Sequence, residues 1–159
     1  MARSRPKLVC IADIHGHYDE LIGLYNQLLA GGFDPERDTL VQLGDIVDGG
    51  PDTQAVVTWC MAMAKRYPHW VFLKGNHEDL LLDALLFHCR LYGSYHLWWE
   101  QGGQATAQSY RPHDASAYER ALMHPCDYIP LAHLVWLAAR PLYYATDRYL
   151  FVHAGLRPG

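Results

Sequence analysis

The sequence predicts an α/β fold built on parallel strands linked by helices. Short, nearly continuous apolar runs recur along the chain, and the stretches between the first of them have helical periodicity. Each run is also followed by a loop of glycines and polar donors, the arrangement expected where a sheet presents the carboxyl ends of its strands to a ligand.

The first run, Lys7 to Ala12 (K-L-V-C-I-A), reads as a strand buried on both faces of a parallel sheet. Thr39 to Leu43, Trp70 to Leu73 and Tyr149 to Val152 read as three more strands. Between the first two, Tyr18 to Ala30 sets Leu21, Leu24, Tyr25, Leu28 and Leu29 on one helical face, and Gly31-Gly32 ends the helix. A second helix runs to Tyr67 from a cap at Asp52 or Thr53, with Pro68 just past its end. Asp79 to Leu91 predicts a third helix, apolar almost all round and therefore buried. From Tyr92 to Pro141 the alternation breaks into a helical insertion packed over the sheet, with a Gly102-Gly103 turn and helices around Ala115 to Met123 and Leu131 to Ala139.

A chain of 159 residues has room for one domain of ordinary size, assigned to residues 1–159. Half its residues are hydrophobic (50%) and 19% are charged, which excludes disordered and collagen-like classes. Thirteen Lys and Arg against 17 Asp and Glu give −4, so bulk charge cannot hold a nucleic acid duplex and any phosphate affinity is local. The longest stretch without a charged residue, Leu21 to Phe33, is shorter than the roughly 18 residues a membrane helix needs. The basic start, Met1 to Lys7, leads into too short an apolar run for a secretory signal. Four cysteines, Cys10, Cys60, Cys89 and Cys126, show no CxxC spacing and read as reduced, mostly buried thiols. A soluble, cytoplasmic protein without membrane partner is the expectation; no pattern speaks to oligomeric state.

The informative residues follow the strands: Asp13-Ile14-His15-Gly16, Gly44-Asp45-Ile46-Val47-Asp48-Gly49-Gly50, Gly75-Asn76-His77-Glu78 and His153-Ala154-Gly155. Strand ends converge on one crevice, and convergent donors make a metal site. Asp13 and His15, two apart in an extended segment, are expected to point the same way, as two ligands of one ion should. Carboxylate, imidazole and amide oxygen suit Mn, Fe or Zn, and Asp45 is placed to bridge two ions. His133, on the apolar helix Leu131 to Ala139, reads as packing rather than as a ligand.

These four motifs, in this order, resemble those of the calcineurin-like metallophosphoesterase superfamily, in its phosphoprotein phosphatase branch. That branch includes bacterial and phage Ser/Thr protein phosphatases and symmetrical dinucleoside tetraphosphatases. The family pattern D-x-H-G, G-D-x-x-D-R-G, G-N-H-E and H-A/G-G is met from Lys7 onward. The resemblance implies two divalent metal ions, Mn²⁺ with Fe or Zn as alternatives. Asp13, His15 and Asp45 would hold one ion; Asp45, Asn76, His153 and a final histidine would hold the other. It implies attack on phosphorus by a metal-bridging hydroxide, with His77 protonating the leaving oxygen and Asp48 orienting His77. The substrate would be a phosphorylated protein or a nucleotide, as phosphate monoester or phosphoanhydride.

Two features depart from the pattern. Gly49 stands where the family has a phosphate-binding arginine, leaving Lys74 and Arg157 as the cations that could bind substrate. The sequence also stops at Gly159, before the family's G-H-T segment with the last histidine, so the domain is expected to be incomplete at its C-terminus. Tyr149 to Val152 would then present an unpaired edge or apolar face. A non-catalytic phosphate- or nucleotide-binding member and a dinucleoside polyphosphate hydrolase are the alternative readings. Among the seven aromatic residues from Tyr92 to Tyr128, hydrophobic packing is the reading set against nucleobase stacking.

Overall fold

The computed structural model describes residues 5–87, 92–112, 114, 116, 119 and 122–156. Three parallel strands, β1 (Leu8–Ile11), β2 (Thr39–Gln42) and β3 (Val71–Phe72), form a sheet in the order β1-β2-β3, with Leu8 opposite Thr39 and Val41 opposite Val71. Helix α1 (Tyr18–Ala30) crosses from β1 to β2 and α2 (Thr53–Arg66) from β2 to β3, so the predicted βαβ alternation is the fold. Asp52 caps α2 as expected, its Oδ1 accepting the Ala55 N–H at 3.2 Å.

Central β2 anchors the core: Leu40 and Val41 are fully buried, as are Val56, Val57 and Cys60 of α2. Tyr67 and Trp70 stack at 4.6 Å, with Tyr25, Phe33 and Trp59 around Trp70, closing the end of the sheet remote from the glycine loops. Asp38, nearly buried, accepts the N–H of Lys7 at 2.8 Å and of Asp34 at 2.9 Å; these backbone bonds hold its carboxyl below the usual carboxylate range and tie the start of β1 to β2.

Several expectations need correction. Strand β1 is covered on one face only: Leu8 is 39% exposed and Cys10 is exposed, whereas Ile11 is buried. A continuous apolar run does not distinguish these cases, because it lacks the alternation that would mark one face as open to solvent. The fourth strand does not join the parallel sheet. It is β5 (Leu150–Val152), paired antiparallel with β4 (Tyr143–Ala145) in a separate hairpin, with Tyr143 opposite Val152. Only the two strand ends of this hairpin are close in sequence, and β4 is too short to carry an alternation signal. Tyr143 and Tyr149 are each 63% exposed and Leu150 is 49% exposed, an apolar face as expected.

The third helix begins earlier than predicted, as α3 (Asn76–Leu82), and widens into a π-type turn over Asp83–Phe87; residues 88–91 lie outside the described residues. The insertion is helical: α4 (Tyr92–Trp98), a wide turn over Trp99–Gly103, α5 (Gln104–Tyr110) and α6 (Leu131–Ala138). It rests on α2 and α3 rather than across the sheet, with Trp136 of α6 reaching Phe72 of β3 at 5.8 Å. Most of the helix expected around Ala115 to Met123 falls outside the described residues.

Because Leu40 has no exposed surface, Leu40→Ala is expected to cost about 2–5 kcal/mol of stability. Leu24→Ala, at a residue 40% exposed, should cost less than about 1 kcal/mol. Urea denaturation of the two variants checks the contrast.

Candidate metal centre

The glycine loops meet at the carboxyl end of the sheet because their backbones are hydrogen-bonded to one another. The N–H groups of Ile14 and His15 both donate to the Asp45 carbonyl at 2.9 Å, and Gly50 N–H donates to the His15 carbonyl at 2.7 Å. At the second contact Gly44, with φ 101°, abuts Gly75 so closely that a Cβ on Gly44 would lie 2.6 Å from the Gly75 nitrogen. Only glycine allows this approach.

Between these loops lies a buried carboxylate, Glu78. Its Oε2 accepts the N–H of Gly75 at 2.6 Å and of Asp45 at 2.9 Å, and its Oε1 accepts the N–H of Ile46 at 2.8 Å. Burial raises the Glu78 pKa, and the N–H donors oppose that rise. Glu78 closes the Gly75-Asn76-His77-Glu78 motif, which by itself assigns it no role. The signal was an acid at the third position of a helix that starts at a glycine, where a side chain turns back onto free N–H groups.

Three non-glycine residues among those described have positive φ: His15 at 45°, Asp45 at 56° and Asp48 at 67°. All three are predicted site residues. This corrects the expectation that Asp13 and His15 converge by extended alternation: His15 is in the left-handed region, and the turn, not the pleat, aims its ring. Asp13 and His15 instead fall in separate groups that share Asp45. In one, His15, Asp45 and His77 each place a donor atom within 4.8 Å of the others; in the other, Asp13, Asp45 and His153 do so.

The histidine tautomers are set by backbone carbonyls. His15 Nδ1 is 2.9 Å from the Val47 carbonyl and His153 Nδ1 is 3.0 Å from the Leu43 carbonyl. A carbonyl only accepts, so both Nδ1 atoms carry hydrogen and both Nε2 atoms face the site. His153 Nε2 lies 3.2 Å from Asp45 Oδ2 and 2.9 Å from Asn76 Oδ1, and His15 Nε2 lies 3.8 Å from the same Asp45 oxygen. The Nε2 atoms, an Asp45 oxygen and the Asn76 amide oxygen thus crowd one point, where a proton on Nε2 or a cation would be shared among them. The donor set fits hard-to-borderline divalent ions.

His77 differs from the other two rings. Its Nδ1 lies 3.0 Å from Oδ2 of fully buried Asp48, and the His77 backbone N–H donates to Asp45 Oδ1 at 3.0 Å. The Asp48 hydrogen bond raises the His77 pKa above the ordinary imidazole value of 6.5, against the lowering effect of burial.

The structure does not bring every predicted residue to the centre. Lys74 lines a cleft with Asn76 and His153, but its Nζ is paired with Asp79 Oδ1 at 2.6 Å. Arg157 lies outside the described residues. His133 bonds the buried Tyr110 hydroxyl at 2.8 Å, and burial lowers its pKa, consistent with packing. Of the aromatic residues, Trp98 is fully buried and Tyr110 nearly so, and Tyr95 stacks on Trp99 at 5.5 Å, while Tyr118 lies outside the described residues.

Over 121 residues the chain is 33% identical to serine/threonine-protein phosphatase 1 of Salmonella typhimurium, an overlap covering 76% of this chain and 49% of that protein. Over 79 residues it is 43% identical to serine/threonine-protein phosphatase C23G10.1 of Caenorhabditis elegans, covering 49% of this chain and 16% of that one. The chain therefore spans about half or less of the length of these curated relatives. Its fold is similar to that of a proposed diadenosine tetraphosphatase, at TM-score 0.58, 23% identity and coverage of 99% of this chain and 55% of the other. A cold-active protein tyrosine phosphatase is similar at TM-score 0.59 and 22% identity, covering 97% of this chain and 42% of the other. Residues 6–158 match the calcineurin-like phosphoesterase model, and the chain belongs to that family of metallophosphoesterases.

Proposed function

We propose that this chain carries the metal centre of a phosphoesterase acting on phosphate monoesters, with phosphorylated Ser/Thr side chains of proteins as the substrate class. The observation that carries this reading is the pair of donor groups sharing Asp45. The family motifs divide the donors around Asp45 differently from these two groups: Asp13, His15 and Asp45 would hold one divalent ion and Asp45, Asn76 and His153 another, with His77, bound through Nδ1 to Asp48, left off both ions. Mn²⁺ is the proposed ion, with Fe or Zn as alternatives, because the donors are oxygen and imidazole without thiolate. Two such ions, when bound, polarise the phosphate and lower the pKa of an attacking water.

The protein's own part is to orient and to supply a proton. His15 and His153 give their Nδ1–H to backbone carbonyls, which fixes each ring with Nε2 toward the site. His77 gives its Nδ1–H to a carboxylate, which favours the imidazolium and leaves Nε2 to protonate the departing oxygen. The same residue type thus serves as ligand or acid according to what its far nitrogen meets.

Protein phosphoesters are favoured over nucleotides because the relatives with the higher sequence identity are Ser/Thr-protein phosphatases, whereas the tetraphosphatase likeness is one of fold. Burial of Trp98 and Tyr110 also leaves fewer faces for nucleobase stacking. Gly49, in place of the family arginine, favours a second reading in which phosphate binds without turnover. The free thiols of Cys10 and Cys60 support a cytoplasmic setting. No helix among the described residues is long and apolar enough to cross a membrane.

Asp45→Asn is expected to lose at least one metal ion and to lower turnover of p-nitrophenyl phosphate by roughly a hundredfold or more. Metal analysis beside the rate assay checks this, and unchanged metal content and rate would remove Asp45 from the shared position. His77→Asn should spare the metals and slow alkyl phosphates more than aryl phosphates, whose leaving groups need less protonation. Loss of metal in that variant would make His77 a ligand instead.

In the metal-free protein, His77 should titrate above 6.5 and Asp48→Asn should move it downward, so that its imidazolium is lost at lower pH than in the parent. Histidine NMR titration reads this directly; an unmoved His77 in the variant contradicts the assigned cause.

A further inference from the structure

We infer that Trp98 and Thr106 are positioning residues of the proposed reaction: together they hold one oxygen of Asp48 so that its other oxygen fixes the His77 ring. The inference rests on the reading of His77 and Asp48 given above, and it assigns a function to the helical insertion that no motif indicated.

The carboxylate of Asp48 is divided between two sets of partners. Oδ1 accepts from Trp98 Nε1 at 3.0 Å and from Thr106 Oγ1 at 2.8 Å, while Oδ2 faces His77 Nδ1 at 3.0 Å. Turning the carboxylate away from His77 would break both Oδ1 bonds inside the protein, because Asp48, Trp98 and Thr106 are fully buried and water cannot replace them.

Thr106 is saturated. Its hydroxyl gives its one hydrogen to Asp48 Oδ1, and its lone pairs take the Asp48 N–H at 2.9 Å and the Thr53 hydroxyl at 3.1 Å. The Asp48 backbone, with φ 67°, is therefore held by the same hydroxyl that holds its side chain.

The insertion is shaped to deliver the indole. A Cβ on Gly103 would run into the Trp98 ring, and Gly102, with φ 103°, turns its carbonyl to accept the Gly49 N–H at 3.3 Å. The Gly102-Gly103 pair expected to make a turn thus lets α4 bring Trp98 against the loop of Asp48. A tryptophan that only filled the core would satisfy its N–H on any nearby carbonyl. Here its partner is the oxygen opposite the one that meets His77.

Trp98→Phe and Thr106→Val in the intact protein test the inference. Each should lower kcat for an alkyl phosphate such as phosphoserine by roughly tenfold, with KM within about twofold and p-nitrophenyl phosphate turnover reduced less than about threefold. In the metal-free protein, nitrogen-15 NMR should show His77 protonated at Nδ1 in the parent and a mixture of tautomers in both variants. Thr106→Ser, which keeps the hydroxyl, should restore the rate ratio and the tautomer, and Ile129→Val, a core control, should leave both as in the parent. An unchanged alkyl-to-aryl ratio with an unchanged His77 tautomer overturns the inference. If the parent hydrolyses neither ester, the phosphoesterase reading fails while the tautomer measurement still decides the clamp. If Trp98→Phe does not fold, the Thr106 pair decides alone.

Discussion

The hydrogen bonds from Gly75, Asp45 and Ile46 to the buried Glu78 carboxylate are the contact on which the centre depends. The loop after β2 cannot continue the sheet and must expose donors at the ligand, so its N–H groups turn inward without secondary-structure partners. Each would cost about 1–3 kcal/mol if left unpaired. Glu78 accepts them from the first turn of α3, the same turn that carries Asn76 and His77. One carboxylate therefore satisfies the loop of Asp45 and sets its distance from two further site residues.

That clamp tolerates strained backbone. His15, Asp45 and Asp48 each have positive φ, a conformation that costs a non-glycine residue on the order of 1–3 kcal/mol. The surrounding structure enforces it through bonds between loops, such as Gly50 N–H to the His15 carbonyl and Asp48 N–H to Thr106. Beneath them β2 is central in the sheet and fully buried at Leu40 and Val41, so the loop after it starts from a fixed point. Strain concentrates where side chains must be aimed, and the apolar core supplies the stability that sustains it.

Hydrogen-bond direction then separates the roles of similar groups. Backbone carbonyls behind His15 and His153 turn their Nε2 atoms toward the shared carboxylate, whereas the anion behind His77 favours its cation. Asp45 is shared by the His15–His77 and the Asp13–His153 donor groups, and Asp48 is sealed among Trp98, Thr106 and His77. Two aspartates three residues apart in one loop are thereby committed to different chemistry by burial and by their partners.

The order of the elements and the identity of the donors were legible in the sequence, because both are local. Helical periodicity over Tyr18–Ala30, the Asp52 cap and the glycine loops after the apolar runs need only near neighbours to be read. What the tertiary structure decided are relations across distance. His153 reaches Leu43 over 110 residues from an antiparallel hairpin rather than a fourth parallel strand. Thr106 reaches Asp48 over 58 residues, and Glu78 reaches Asp45 over 33. A periodic pattern records which face of an element is apolar, but not which distant polar group will satisfy a buried donor. That pairing is selected only when the chain closes and water leaves, when every enclosed N–H and carboxylate must find its partner.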